Sequence, residues 1–522
     1  MKLKVVFLLT ALTLASSACK EQFFDINTNP NTLPTATPNF VFTNALKTTT
    51  WNPDAAGNLL NVNELGSYWS GQWTQSNGYI ISTTQFGYNF TNGDFNYWDG
   101  YYDNLNDYQF VIDNADANGQ KFLKGPAKVM KALIFQQLVD MYGNVPYTEA
   151  LKGGAVLAPK FDDQKAVYES LITLLDEAAS DIKAGATELQ ANASYRTIFN
   201  GTDIIFGGNI TKWAQFANSV KMRILMRQSR VAGRDAYIKT EINKIVSGGA
   251  GFITGEDVAV GGPNFFVATA GKINPIYDRW GYSETNARRA LNNFPRITQF
   301  LINSLKASGD TLRMKRIAYA VGNENQSNPG TSTRAEIAAN YVGTPFGASS
   351  GFLPGNTSAV GPSLLIRGQF NRPFVIMTAA EVQLNLAEAK QRYADVTLPN
   401  TAQAYFEEGI KQSFRALGAN TAGADAFKGS KVVNYSWDAS PDKLAAISIQ
   451  KWLAAANLNG FEAWSEYRKT GLPVTPQSVQ VTDARRPVRL FYPNTEAGSN
   501  TANVTAQGTV DVFNTKLFWD VD

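Results

Sequence analysis

Histidine is absent from all 522 residues of the sequence. Its absence excludes histidine-containing zinc sites, serine or cysteine nucleophiles activated by an imidazole, and haem held by histidine. The chain also lacks a G-x-x-x-x-G-K-[ST] loop and a G-x-G-x-x-G loop after a strand-like run, the two common phosphate-binding patterns. Catalysis by two carboxylates needs no histidine and stays open. We therefore expect a protein that is not an enzyme, with no catalytic residue, metal or cofactor.

Cysteine occurs once, at Cys19, directly behind an apolar leader. A basic start, an apolar stretch over residues 5–15 and three small residues precede it, which is the pattern of a secretory signal. The apolar stretch is too short to span a bilayer. We predict a lipoprotein signal peptide over residues 1–18 and acyl chains on Cys19, since several chains anchor a protein stably where one does not. The alternative is a cysteine inside a discarded leader.

Charge of either sign is nearly balanced. The formal charge of +3 falls to +1 once the two lysines of the leader are removed, which gives no electrostatic basis for binding nucleic acid or an anionic membrane surface. No later apolar run is long enough to cross a membrane. No proline- or serine-rich linker divides the remainder, so we predict a single α-helical domain over residues 19–522, soluble on its lipid tether.

Amphipathic helical segments dominate the chain. Residues 125–143 place Met130, Ile134, Leu138 and Met141 on one face, with Pro126 predicted as the first helical residue. Further helices are predicted at 162–185, 212–230, 298–307, 373–393, 402–416 and 442–470, the last with a break near residue 460. Strand-like alternation is scarce and short. The predicted fold class is all-α, with long loops and few short strands.

Seven segments, in this order, resemble the SusD/RagB family of outer-membrane nutrient-binding lipoproteins, in particular its SusD-like branch. They are "FFDINTNPN", "KVMKALIFQQLVDMYGNVPYTEA", "PKFDDQKAVYESLITLLDEA", "DIIFGGNITKWAQFANSVKMRILMR", "PFVIMTAAEVQLNLAEA", "QKWLAAANLNGFEAWSEYRKTGLP" and "RRPVRLFYPNTE". The resemblance runs from residue 23 to about residue 496 and so covers nearly all of the mature chain. Each segment alone is a weak signal, and the shared order makes the resemblance specific.

The resemblance implies tetratricopeptide-like helix pairs on one side of the protein and a loop-rich ligand face on the other. It also implies a partner, a SusC-like TonB-dependent transporter in the outer membrane, to which family members pass oligosaccharides without cutting them. Lys20 and Glu21 resemble the signal that sends Bacteroidetes lipoproteins to the outer face of that membrane. We therefore expect a lipid-anchored protein of the outer membrane that faces the cell exterior.

Aromatic residues make up 12% of the chain, and many lie in polar loops. A sugar ring has an apolar face and a rim of hydroxyls, so a binding protein needs a flat ring beside amide or carboxylate groups. The predicted ligand-binding residues are Trp69, Trp73, Tyr79, Trp98, Trp280 and Tyr282. The loop over residues 346–356, with Phe346 and Phe352, is a further candidate. Each of these rings could instead fill the core.

We assign a structural role to two patterns of charged residues. Glu381 and Glu388 share a helical face, and we interpret them as ion-pair partners of nearby arginines, with paired catalytic acids as the alternative. Trp464 and Arg468 lie one turn apart and are predicted to form a cation–π contact.

One loop imitates half of a calcium site. Residues 114–119 copy the first half of an EF-hand loop, but Gly125 occupies the position of the essential glutamate, so we predict a polar turn without calcium.

The leading hypothesis is a surface lipoprotein that binds glycan fragments and delivers them to a SusC-like transporter. A surface glycoside hydrolase with paired carboxylates, a peptide-binding lipoprotein and a protein-binding scaffold remain alternatives. The identity of the glycan and its linkage stay open.

Overall fold

The computed structural model describes residues 36–262, 264–324, 334–483 and 485–521. Cys19 and the leader lie outside the described residues. From Pro38 to Asp522 the chain forms one compact unit. No helix in the described ranges combines the length and the apolar character needed to cross a membrane.

The described residues contain nineteen α-helices and only four short strands, which confirms the all-α prediction. In the first half of the chain the helices are α1 Pro38–Thr50, α2 Leu59–Trp69, α3 Thr83–Phe86, α4 Trp98–Asn114, α5 Lys124–Tyr142, α6 Gln164–Ala191, α7 Ala193–Thr202, α8 Ile210–Arg227 and α9 Asp235–Ser247. In the second half they are α10 Pro275–Trp280, α11 Gln299–Ala307, α12 Thr311–Ile317, α13 Ala379–Arg392, α14 Ala402–Leu417, α15 Ala422–Asp425, α16 Lys443–Ala455, α17 Gly460–Thr470, α18 Asn494–Ser499 and α19 Thr501–Thr505.

The strands form two small antiparallel sheets. β1 Trp73–Gln75 pairs with β3 Pro295–Ile297, and β2 Val258–Val260 pairs with β4 Phe374–Met377. The helix predicted over residues 373–393 is therefore wrong in its first turn, because those residues extend into β4. Thr378 ends the strand and caps α13 by accepting a hydrogen bond from the Glu381 amide.

Other helix ends differ from the predictions for local reasons. Helix α5 begins at Lys124, so Pro126 is its third residue and not its first. Helix α6 continues through Gly185 to Ala191, because the missing side chain at Gly185 lets the helix approach Phe122: an added Cβ there would lie 2.8 Å from the Phe122 Cα. The predicted break near residue 460 is confirmed, since α16 ends at Ala455 and α17 begins at Gly460.

Helices pack as neighbouring pairs around one hydrophobic core. The main pairs are α5 with α6, α13 with α14, α16 with α17, and α2 with α17. The last pair joins distant parts of the chain through two facing glycines. A Cβ added to Gly66 would lie 2.4 Å from the Gly460 carbonyl, and one added to Gly460 would lie 2.2 Å from the Asn63 carbonyl oxygen. Only glycine allows the two helices to come so close.

Ionised side chains lie buried between α8, α13, α16 and α17, and we call them the buried charge cluster. Its members are Arg223, Arg227, Glu381, Glu388, Lys451, Glu462, Glu466 and Lys469. All of them except Glu388 line a cavity of about 30 Å³, which is large enough for a water molecule. At this part of the interface, alternating positive and negative side chains take the place of apolar contacts between the helices.

The carboxylates of this cluster are engaged by cations. Arg223 donates to both Glu381 oxygens, at 2.5 and 2.8 Å. Glu388 accepts from Lys451, from Lys469 at 2.6 Å and from Arg392 at 2.8 Å. Burial alone would raise the pKa of Glu388, but these three cations hold it well below its ordinary value. The ion-pair interpretation of Glu381 and Glu388 is therefore confirmed.

Candidate functional site

Three loops meet beside the sheet formed by β1 and β3. They are residues 76–82 after β1, residues 290–294 before β3, and residues 346–356. We call the face that they share the Tyr79 surface. The loops are far apart in sequence and are joined by side-chain hydrogen bonds to main-chain groups, so the surface is held by the fold and not by local turns alone.

Asn77 fastens the first loop to the third. Its main-chain nitrogen donates to the Phe352 carbonyl at 3.0 Å, and its side-chain oxygen accepts from the main-chain nitrogen of Phe352 at 2.7 Å. Its side-chain nitrogen donates to the Ala348 carbonyl at 2.6 Å. One asparagine thus makes three hydrogen bonds across the two loops, and removing its side chain would leave two main-chain groups without partners.

Gln75 and Ser76 hold the other sides of the same turn. The Gln75 side chain donates to the Ile80 carbonyl at 2.6 Å and accepts from the Ser82 amide at 3.0 Å. The Ser76 hydroxyl donates to the Asn293 carbonyl at 2.7 Å. Gln75 and Ser76 are fully buried, so water does not compete for these bonds. These bonds tie the turn over residues 77–82 to the buried ends of the neighbouring segments, although the turn lies at the surface.

The Tyr79 surface exposes apolar side chains beside polar ones such as Ser349, Ser350 and Asn356. The Tyr79 ring packs edge-on against Phe294 with centroids 5.2 Å apart, and its hydroxyl donates to the Ala290 carbonyl at 2.5 Å. Ile80 is 95% exposed and Leu353 is 54% exposed. A partly exposed ring fixed at its hydroxyl, beside two exposed aliphatic side chains, offers contact area to a ligand at little entropic cost.

Arg296 places a positive charge beneath this surface. Its side chain is fully buried in β3, and one guanidinium nitrogen donates to the Pro295 carbonyl at 3.0 Å. Burial lowers the pKa of Arg296 to about 10, so the group stays charged at neutral pH. Coulomb energy falls off slowly in a low-dielectric interior, and the charge therefore biases the loops above it toward electron-rich groups.

The structure brings Trp73 and Trp280 into contact, but the six predicted ligand-binding residues do not share one exposed face. Tyr79 is partly exposed, whereas the other five are 2–3% exposed: Trp69, Trp73, Trp98, Trp280 and Tyr282. Buried rings have no free face for a sugar, which favours Tyr79 among the six. Phe346 is also buried, and Phe352 is partly exposed at the Tyr79 surface. Ligand contact by each of these residues stays a prediction.

The buried tryptophans form the foundation of the loops. Trp73 packs edge-on against Trp280 at 5.6 Å, and its indole nitrogen donates to the Asn457 side chain at 2.8 Å. Trp69 packs against Trp464 at 5.0 Å. The predicted cation–π contact beneath them is confirmed, with the Arg468 guanidinium 3.7 Å from the Trp464 ring centroid. Sequence reasoning missed Ile80 and Leu353, whose only signal was an apolar residue inside a polar loop.

The calcium-like loop is a polar turn in the structure. Asp116 forms an ion pair with Lys124 at 2.9 Å, and the Asn118 side chain donates to the Asn114 carbonyl at 2.9 Å. Gly119 has a φ of 63° and turns the chain toward α5. Across the described part of the chain, no three acidic, cysteine or histidine side chains come together as metal ligands would.

A SusD-like family described as starch-binding and associating with the outer membrane matches residues 30–493. The chain belongs to this family, as its resemblance predicted. No protein of curated annotation matches the chain.

Solved structures of similar fold cover almost the whole protein. A chitin-binding protein is 24% identical with a TM-score of 0.70, covering 93% of this chain and 100% of its own. A chitin-binding SusD homologue from Flavobacterium johnsoniae is 21% identical with a TM-score of 0.68, covering 93% and 98%. A SusD homologue from Bacteroides uniformis is 22% identical with a TM-score of 0.71, covering 92% and 100%. At these identities the likeness establishes the fold.

Proposed function

We propose that this protein is a lipid-anchored protein of the cell surface that binds oligosaccharides and delivers them, uncut, to a SusC-like TonB-dependent transporter. The observation that carries the proposal is the family match over residues 30–493, in a family described as starch-binding and associating with the outer membrane. Two proteins of similar fold bind chitin according to their descriptions. The Tyr79 surface supplies the contact area that such a ligand needs.

The absence of cleavage is supported by the state of the acidic side chains. The sequence has no histidine to act as a base. Glu381 and Glu388, the acids that shared a helical face, are engaged by cations in the buried charge cluster, where little of either side chain is exposed. Burial raises the pKa of Glu381, but a general acid for glycoside hydrolysis also needs access to the substrate, which neither of these largely buried side chains has. Purified protein incubated with polysaccharide should therefore release no reducing ends, and steady release would refute a binding role.

Binding to the Tyr79 surface is tested with matched variants. Chitin and starch oligosaccharides are titrated by calorimetry against the wild type, Ile80→Ser and Tyr79→Ala. Each substitution removes apolar contact area and should weaken binding about tenfold. Leu157→Ser is the control for Ile80→Ser because Leu157 is 83% exposed elsewhere, and Tyr195→Ala is the control for Tyr79→Ala. Equal affinities for the variants and the wild type would contradict a role of this surface.

Anchoring and delivery have separate tests. Cells fed radioactive palmitate should label the wild type but not Cys19→Ala, and equal labelling of both would remove the anchor. A detergent extract of outer membranes, passed over the immobilised protein, should retain a large β-barrel protein. Retention of no barrel protein would count against the transporter partner.

A further inference from the structure

A second concave site lies at the end of α1, and none of its lining residues belongs to the three loops of the Tyr79 surface. It is a cavity of about 390 Å³, a size typical of small-ligand sites. Its wall includes Trp51 just after α1, and Phe265 and Phe266 from the segment that precedes α10. Polar groups at its rim come from Lys47, Asn264 and Lys272. We call it the Trp51 pocket.

The aromatic wall of this pocket is open to solvent. Trp51 and Phe265 are half-buried, and Phe265 packs edge-on against the buried Phe266 with centroids 4.9 Å apart. Phe266 in turn lies against the main core. The two half-buried rings are therefore supported from behind and retain exposed surface, which is the arrangement that stacks on the apolar face of a sugar.

The rim carries an excess of positive charge. Within the described residues, no acidic side chain lies within ion-pair distance of the ammonium group of Lys47 or Lys272. Asp278 also lines the pocket and forms an ion pair with Arg289, which lies 3.6 Å from Glu284 as well, so two lysines face the pocket against one carboxylate. The net charge facing the pocket is positive, so a ligand that carries a carboxylate or sulfate is favoured over a neutral one.

We propose that the Trp51 pocket binds an anionic sugar unit, with its ring against Trp51 and Phe265 and its acidic group between Lys47 and Lys272. The proposal rests on the proposed function for the saccharide nature of the ligand. It adds a second binding site and a charge preference. Arg289, which pairs with Asp278, directly precedes Ala290, the acceptor of the Tyr79 hydroxyl.

Tryptophan fluorescence reports on this pocket selectively. All ten tryptophans lie within the described residues, and only Trp51 and Trp437 are partly exposed. In a Trp437→Phe background, acrylamide quenching therefore reports mainly on Trp51. The probes are trigalacturonic acid and its fully methyl-esterified form, which share a backbone and differ in charge. We expect the acid to shield Trp51 from acrylamide, and the ester to bind at least tenfold more weakly.

Charge variants separate the pocket from the rest of the surface. The double variant Lys47→Gln/Lys272→Gln should weaken trigalacturonate binding about tenfold, whereas Lys152→Gln/Lys165→Gln, which removes two exposed charges elsewhere, should leave it unchanged. In calorimetry, Trp51→Leu should show no heat of trigalacturonate binding, and circular dichroism of the variant should match that of the wild type. Ile80→Ser should leave Trp51 shielding intact, which distinguishes this site from the Tyr79 surface.

The proposal would be overturned by no shielding of Trp51 by millimolar trigalacturonate, by equal binding of acid and ester, or by an unchanged affinity in the Lys47→Gln/Lys272→Gln variant. None of these results bears on chitin or starch binding at the Tyr79 surface, so the proposed function stands or falls by its own titrations. Loss of Trp51 shielding in the Ile80→Ser variant would mean that the pocket is not an independent site, and it would also refute the proposal.

Discussion

Glu388→Gln is the substitution that tests the buried charge cluster most directly. The side chain of Glu388 is nearly fully buried and accepts hydrogen bonds from Lys451, Lys469 and Arg392. Glutamine keeps the size but removes the charge, so two buried ammonium groups keep only Glu466, at 3.6 and 3.9 Å. Breaking a buried pair in this way costs about 3–5 kcal/mol. We expect that loss in the free energy of unfolding at neutral pH, measured by urea denaturation with circular dichroism.

The pH dependence of this loss identifies its cause. Burial lowers the pKa of Lys469 to about 8, against the opposing charges of Glu388 and Glu466. A lysine whose pKa is lower in the folded state than the ordinary 10.5 binds fewer protons when folded, so the stability rises with pH between the two values. Without Glu388 the pKa of Lys469 in the folded state falls further, so the free energy of unfolding of the variant begins to rise below pH 8. The deficit of Glu388→Gln should therefore shrink toward pH 8, by up to about 1.4 kcal/mol per pH unit.

A surface substitution of the same type serves as the control. Asp425 is more than half exposed and pairs with Lys428 at 3.2 Å. Asp425→Asn removes one carboxylate charge and should cost less than about 1 kcal/mol at every pH. A deficit below about 0.5 kcal/mol for Glu388→Gln, or one that does not change with pH, would refute the stabilising role of the buried charge cluster.

Two further predictions concern helix packing and loop rigidity. Gly460→Ala should lower the free energy of unfolding by about 1–3 kcal/mol, because the new Cβ would lie 2.2 Å from the Asn63 carbonyl oxygen. Gly154→Ala is the control and should be neutral, because an added Cβ there has no atom within 4 Å. Equal urea midpoints for the two variants would contradict the close approach of the helices. Asn77→Ala should speed hydrogen exchange at the Phe352 amide at least tenfold, because that amide loses its acceptor. The variant should also bind oligosaccharide more weakly, with little change in the free energy of unfolding. Unchanged exchange at the Phe352 amide would show that other contacts hold the loop.

The helices were predictable because their apolar residues recur at helical spacing. The face of α5 formed by Met130, Ile134, Leu138 and Met141 is buried as predicted. The errors lie where tertiary contacts override local pattern. Residues 374–377 join β2 as a strand although they precede a helix, and Gly185 continues a helix because a neighbouring segment packs on it. Sequence spacing carries no information about such partners.

The candidate site was harder to predict because polar loops hide buried rings. Trp69 follows Leu65 by one helical turn, and Trp98 precedes Tyr101 and Leu105 at helical spacing, so periodicity alone indicated the core for both. Trp73 lies in a three-residue strand that is buried on both faces, which leaves no alternation to read.

The pairing of buried charges could be predicted only in part. Arg392 lies one turn after Glu388, so that contact follows from helical spacing. The partner of Glu462 does not, because Arg227 lies 235 positions earlier in the chain. Acidic residues on an otherwise apolar helix face indicated that cations must be near, without indicating which ones.

The contact between α2 and α17 has a consequence for how the protein reaches its folded state. The surface of α2 that receives α17 stays uncovered until nearly the whole chain has been synthesised, and Trp73 finds its hydrogen-bond partner 384 positions later. Contacts of such high sequence separation slow folding, because a very long loop must close before they form. A chain truncated before residue 460 should therefore expose apolar surface and aggregate.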